Sequence, residues 1–256
     1  MSEAPQDDKP APLVSHLTEL RRRLLWAMLA VLVFLVPLAI FARDLYALLA
    51  GPLMQHLPAG TSMIATEVAS PFLAPFKLAA VSALVLAMPV VLWQVWAFIA
   101  PGLYAHERRF AFPLMFMSSL LFYLGIAFAY FVVLPLVLGF FVSMAPEGIA
   151  VMTDISRYLD FVLTLFLAFG AAFQIPVATV LMVRTGMTTP AALASKRAYV
   201  LVGAFVAGML LTPPDIFSQS LLAVPAYLLY EAGIVLARWM VPGYREVEIQ
   251  RGERES

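Results

Sequence analysis

Phe98–Arg109 reads FIAPGLYAHERR and separates two long uncharged stretches, Leu78–Ala97 before it and Phe110–Pro146 after it. Neither flank is stable in water without burying most of its surface, so the twelve residues between them form a bend at one membrane surface, held by a spanning helix at each end. The bend carries a Pro101-Gly102 turn, the aromatics Phe98 and Tyr104, one carboxylate (Glu107) and two arginines (Arg108, Arg109). A carboxylate held at a membrane-facing bend suits a cationic guest.

The composition agrees with a membrane protein. The chain is 62% hydrophobic and 12% charged, with a mean hydropathy of +0.90, whereas soluble domains carry about 25% charged residues. The net charge is zero, and no nucleic-acid partner is expected. Without cysteine there is no disulfide frame and no thiolate metal site. The three histidines (His16, His56, His106) all fall outside the apolar runs. The polar, Pro-rich start, MSEAPQDDKPAP, does not have the pattern of a signal peptide, so the first span is expected to direct insertion.

Working outward from the bend, an all-α fold with six spans is predicted. They are Leu24–Ala42, a span within Leu78–Ala97, a span within Phe110–Val133 whose apolar run continues to Pro146, Phe161–Val183, Ala198–Pro214 and Ile216–Tyr230. The last two are uncharged for only 17 and 15 residues and are separated by Pro213-Pro214, which forces a helix–turn–helix pair. Such runs reach roughly 22–26 Å, short of a hydrocarbon layer of about 30 Å. Extension of the sixth past Glu231 to Ala237 relieves part of that shortfall. Prolines 37, 89, 113, 135, 176 and 225 lie within or at the ends of spans and are expected to bend them into a concave bundle.

Thirteen of the sixteen basic residues fall on one side of this topology: Lys9, Arg21, Arg22, Arg23, Arg108, Arg109, Arg184, Lys196, Arg197, Arg238, Arg245, Arg251 and Arg254. Only Arg43, Lys77 and Arg157 fall on the other. The positive-inside rule then puts both termini in the cytoplasm. Residues 1–12 and 239–256 are expected to be cytoplasmic tails, the first disordered, around a membrane domain at 13–238.

Before the first span, LVSHLTELRRRL (Leu13–Leu24) places Leu13, Leu17, Leu20 and Leu24 at helical spacing, a stripe that can lie along the membrane face. Ser15 is a candidate helix cap. Glu19 can pair with Arg22 or Arg23 on its own helix, or it can serve a guest. Outside, Arg43–Lys77 is expected to hold a short flat helix, and about Gly139–Asp160 to contribute to the same cap. Gln174 lies near the middle of the fourth span and should hydrogen-bond a neighbouring helix or backbone freed by Pro176. Asp215 and Gln219 are candidate caps for the sixth helix.

Five segments, HLTELRRRL (16–24), SMIATEVASPFLAPFKL (62–78), QVWAFIAPGLYAHERR (94–109), FYLGIAFAYFVVLPL (122–136) and YVLVGAFVAGMLLTPPDIFSQ (199–219), together resemble TatC, the polytopic core subunit of the twin-arginine protein translocase. The resemblance runs in register from about Leu13 to Arg238. It implies a six-helix, glove-shaped protein of the bacterial inner membrane. Such a protein receives folded cargo bearing twin-arginine signal peptides, works with the single-span partners TatA and TatB, and assembles with copies of itself in a TatABC complex. By the resemblance, Glu19, Arg21, Phe98 and Glu107 bind the signal peptide. Met209, Leu210 and Thr212, with Gln174, serve the partner helices. Many members of the family carry glutamate where Gln174 stands, and a carboxamide cannot supply a titratable group there.

Other classes fit poorly. A serine protease needs a buried Ser–His pair, and no histidine lies in a span. A zinc protease motif beginning at His106-Glu107 meets Phe110 where its second histidine belongs. No enzyme, metal or cofactor is therefore expected. An ion-coupled small-solute transporter is the strongest alternative, but it normally shows charged groups at mid-membrane, where this chain has one neutral glutamine.

Overall fold

The computed structural model describes residues 13–56, 64–99, 108–144, 153–211 and 215–240. These form ten α-helices: α1 (Leu13–Ile40), α2 (Ala42–His56), α3 (Ser70–Ile99), α4 (Arg108–Phe128), α5 (Leu134–Ser143), α6 (Ile155–Ala172), α7 (Ile175–Arg184), α8 (Pro190–Ser195), α9 (Arg197–Leu211) and α10 (Ile216–Met240). A π-helical turn, Ala129–Val133, joins α4 to α5. Five stretches are long and apolar enough to cross a membrane: Leu17–Ile40, Ser70–Phe98, Pro113–Ser143, Ile155–Arg184 and Ile216–Met240. The shorter apolar helix is α9. No residue in the apolar window of α1 is buried, the reverse of a water-soluble fold, where such a face must be covered.

The helices depart from the predicted spans where proline chemistry dictates. The fourth span is two helices. Pro176 has no N–H to give the carbonyl of Ala172, so α6 ends there, and a turn at Phe173–Gln174 precedes α7. Pro135 likewise cannot bond back to Phe131, and the widened π turn just before it takes up that mismatch. The sixth helix runs on to Met240, and its 25 residues span about 37 Å. Two cap assignments are corrected. Helix α1 starts at Leu13, so Ser15 is already inside it, and the stripe Leu13–Leu24 continues into the first span without a break because no glycine or proline interrupts it before Pro37. Gln219 is the fourth residue of α10, its N–H bonded to the carbonyl of Asp215. The cap is Asp215, whose Oδ1 accepts from the Ser218 N–H at 2.7 Å.

Helices α1 and α3 pack antiparallel: Ile40 and Ala39 face Pro71 and Phe72, and Leu38 lies across a groove from Leu78. Around them α2, α5 and α6 share a core in which Leu134, Val137, Leu159, Val162 and Phe169 are fully or nearly fully buried. Helices α4 and α6 meet through a reciprocal notch. Gly170 leaves room for the Phe122 ring, and Gly125 lies against the backbone of Phe169.

The two segments at the end of the bundle opposite Glu19 are joined to each other. The expected short helix is α2, tied to α6 where the Tyr158 hydroxyl donates to the Leu49 carbonyl at 3.1 Å. Ile64 pairs with residues 153–155 as a parallel bridge. Asp154 caps α6, its Oδ1 accepting from the N–H groups of Ser156 (2.9 Å) and Arg157 (3.0 Å). Its Oδ2 accepts from the Thr66 N–H (2.9 Å) and hydroxyl (2.6 Å). The Thr66 hydroxyl is the largest influence holding the Asp154 carboxyl well below the usual carboxylate range, followed by the Arg157 and Thr66 N–H groups. Burial, and then the negative charge on Asp154, pushes the Tyr46 phenol up to about 12.

A depressed folded-state pKa stabilises above the unfolded value, about 3.9 for Asp, and loses that contribution as pH falls through the folded value. Asp154→Asn turns an acceptor into an NH2 facing Thr66 donors and should lower the thermal midpoint by several degrees at neutral pH. The wild-type advantage should narrow below about pH 4. An advantage constant from neutral pH to about pH 3 contradicts this assignment.

Candidate functional site

The antiparallel α1–α3 pair brings the start of α1 and the end of α3 to the same end of the bundle. Glu19 and Phe98 therefore share that end, and both are half-buried. Glu19 accepts from Arg23 Nε at 2.9 Å and Nη2 at 2.5 Å, one helical turn away. An i,i+4 pair on a helix surface contributes only a few tenths of a kcal/mol, so Arg23 by itself does not lock the carboxylate. Arg21 is exposed beside it. Glu107 lies outside the described residues, immediately before the first residue of α4.

Inward from Phe98, Trp96 is buried and its indole N–H donates to Ser118 Oγ at 2.9 Å. The Ser118 hydroxyl donates to Gln174 Oε1 at 2.5 Å, and Gln174 Nε2 donates to the Ser118 carbonyl at 3.0 Å. Gln174 thus sits at the α6–α7 break and grips α4, which in turn holds the end of α3. Its partner is a neighbouring helix, not the backbone that Pro176 frees. Ser118→Ala leaves the Trp96 N–H and Gln174 Oε1 unmatched, at about 1–3 kcal/mol for the buried indole and less for the half-buried amide. The thermal midpoint should fall clearly for Ser118→Ala and stay near wild type for Ser118→Thr. Equal midpoints for the two variants contradict the network.

At the other end of the bundle, Met209 is 51% and Leu210 77% exposed on α9. Val202 and Val206 extend the same uncovered apolar surface along that helix. Thr212 lies outside the described residues. Helix α9 is held by α10: Gly208 lets it come close to Gln219, and Arg197 forms a two-pronged bond with Glu231 at 2.6 and 2.8 Å. The sequence reading singled out neither Trp96, Ser118 nor the Arg197–Glu231 clamp. Opposite charges at the start of α9 and in the second half of α10 were the available signal for the clamp.

Arg43, Lys77 and Arg157 all lie at the end of the bundle opposite Glu19, around cavities that share Phe76. Five helical stretches apolar enough to cross a membrane, with charged residues gathered at the ends of the bundle, define a multi-pass membrane protein. The TatC family model, the Sec-independent protein translocase protein, matches residues 15–225. The chain belongs to this family, which is one of protein transport and not of enzymes. It is 62% identical over 234 residues to the Sec-independent protein translocase protein TatC of Azotobacter chroococcum mcd 1, covering 91% of this chain and 92% of that one. It is 58% identical over 230 residues to the protein of that name from Escherichia coli K12, covering 90% and 89%. A crystal structure of the twin arginine translocase receptor TatC superposes with a TM-score of 0.79 at 38% identity, covering 88% of this chain and 98% of that one.

Proposed function

We propose that this protein is the receptor and core subunit through which folded proteins bearing twin-arginine signal peptides cross the bacterial inner membrane. Both termini are cytoplasmic, so Glu19, Arg21, Phe98 and Glu107 face the compartment where cargo is made. The observation that carries the reading is that the carboxylate of Glu19, paired with Arg23 on its own helix, lies at the end of the bundle that also bears Phe98. Carboxylates at this end match the two planar forks of an arginine pair. The guest displaces Arg23 from Glu19, and Glu107 takes the second guanidinium. Phe98 and the apolar flanks of α1 and α3 receive the greasy part of the signal.

On the outer side, the single-span partners TatA and TatB dock along α9 at Met209, Leu210 and Thr212. Gln174 uses one amide N–H on Ser118, which leaves the other for a polar group on a docked helix. Copies of the chain assemble around such partners.

Photocrosslinking of a twin-arginine signal peptide in native membranes tests the receptor role. Glu107→Ala should insert normally and lose most of the crosslink to a probe at Phe98. Crosslinking at the wild-type level refutes the assignment.

A further inference from the structure

Away from the proposed receptor surface, the outer end of the bundle encloses a cavity of about 550 Å3 between α3, α6 and the strand-like residues before α3. Its depth in the membrane follows from the sequence. Lys77 is the last charge before the uncharged run Leu78–Ala97, and Asp160 the last before Phe161–Val183. These two residues pair with each other across the cavity. The cavity therefore opens at the level of the outer-leaflet headgroups.

Most of its polar groups are already matched. Asp154 accepts four hydrogen bonds, and Ser156 donates to Ser70. Glu67 and Arg157 remain, both exposed and neither in an ion pair among the described residues. Leu73 and Phe76, each about half exposed, form an apolar wall that leads from these charges toward the hydrocarbon. The lining carries three carboxylates (Glu67, Asp154, Asp160) against two cations (Lys77, Arg157), which disfavours a ligand of net negative charge. One free carboxylate and one free guanidinium above an apolar wall complement a molecule with an ammonium, a phosphate and acyl chains.

We infer that this cavity binds the headgroup of an ammonium-bearing zwitterionic phospholipid, of the phosphatidylethanolamine kind, from the outer leaflet. Arg157 takes the phosphate by its planar donor fork, and Glu67 accepts from the ammonium. A quaternary headgroup has no N–H for Glu67, and an anionic headgroup adds to the excess negative charge. The Thr66–Asp154 and Ser70–Ser156 bonds tie the walls to each other without using either free group.

Native mass spectrometry of the full chain in detergent, titrated with dioleoyl phosphatidylethanolamine, phosphatidylcholine or phosphatidylglycerol, tests this inference. Wild type should retain the ethanolamine lipid over the choline and glycerol lipids by about two- to threefold, since all three carry the phosphate and only the exposed Glu67–ammonium pair distinguishes them. Glu67→Gln/Arg157→Gln should lose that preference, with an unchanged thermal midpoint. Lys196→Gln, at the opposite end of the bundle, should keep it. If the double variant does not fold, Glu67→Gln alone carries the test and should remove the preference by itself, because Arg157 meets a phosphate that all three lipids carry. Equal retention of the three lipids by wild type, or an unchanged preference in the folded variants, overturns the inference.

Discussion

Gly125→Val is expected to yield a protein that inserts but unfolds about 5–10 °C below wild type. A Cβ at position 125 lies 2.6 Å from the Phe169 carbonyl oxygen and 3.0 Å from its carbon, both backbone atoms that cannot rotate away. The opposite side of the notch is equally closed, because Gly170 lies beneath the Phe122 ring, which is 2% exposed. Helices α4 and α6 must separate to admit the new side chain, and overpacking of a tight contact costs about 1–3 kcal/mol before backbone shifts are counted. Separation also pulls Ser118 away from Gln174, one turn beyond Phe169 along the same interface. Tolerance of valine with an unchanged midpoint contradicts the interlocked α4–α6 packing.

Loss of both Glu19 and Glu107 is expected to weaken signal-peptide binding by about two to four orders of magnitude, from contacts worth about 1.5–3 kcal/mol each. Micromolar affinity needs about 8 kcal/mol, so the two contacts supply a large part of it and the apolar segment of the signal the rest. A carboxylate-free patch should therefore still bind greasy peptides weakly, without distinguishing paired arginines from paired lysines. Lysines present no planar fork, so in wild type the same exchange costs affinity. Peptide titration of purified protein, comparing the Arg-Arg and Lys-Lys signals, measures both effects.

The spans were legible because an uncharged run of about 17–25 residues has few alternatives to a membrane helix. Prolines marked where helices change, but not how. Pro176 ends α6 outright, whereas Pro135 is absorbed by a π turn whose Ala129 and Val133 are buried. The Glu19–Arg23 pair was legible because four residues on a helix is a fixed distance. The Thr66–Asp154 bonds were not, since 88 residues separate the partners. The Trp96–Ser118–Gln174 chain was hidden for a related reason: which face of each helix meets its neighbour is set by notches such as Gly125 and Gly170. Ser15 and Gln219 were misread as caps because helix ends depend on the chain just outside them. Of the proposed receptor residues, Phe98 and Glu19 became geometrically related only through the antiparallel α1–α3 pairing.

Export of a folded reporter carrying a twin-arginine signal, measured in cells that rely on the Glu19→Ala/Glu107→Ala variant at normal membrane levels, bears most directly on the paired-carboxylate mechanism. The mechanism predicts export near background while the variant remains inserted at wild-type abundance. Export at the wild-type rate from that variant contradicts it.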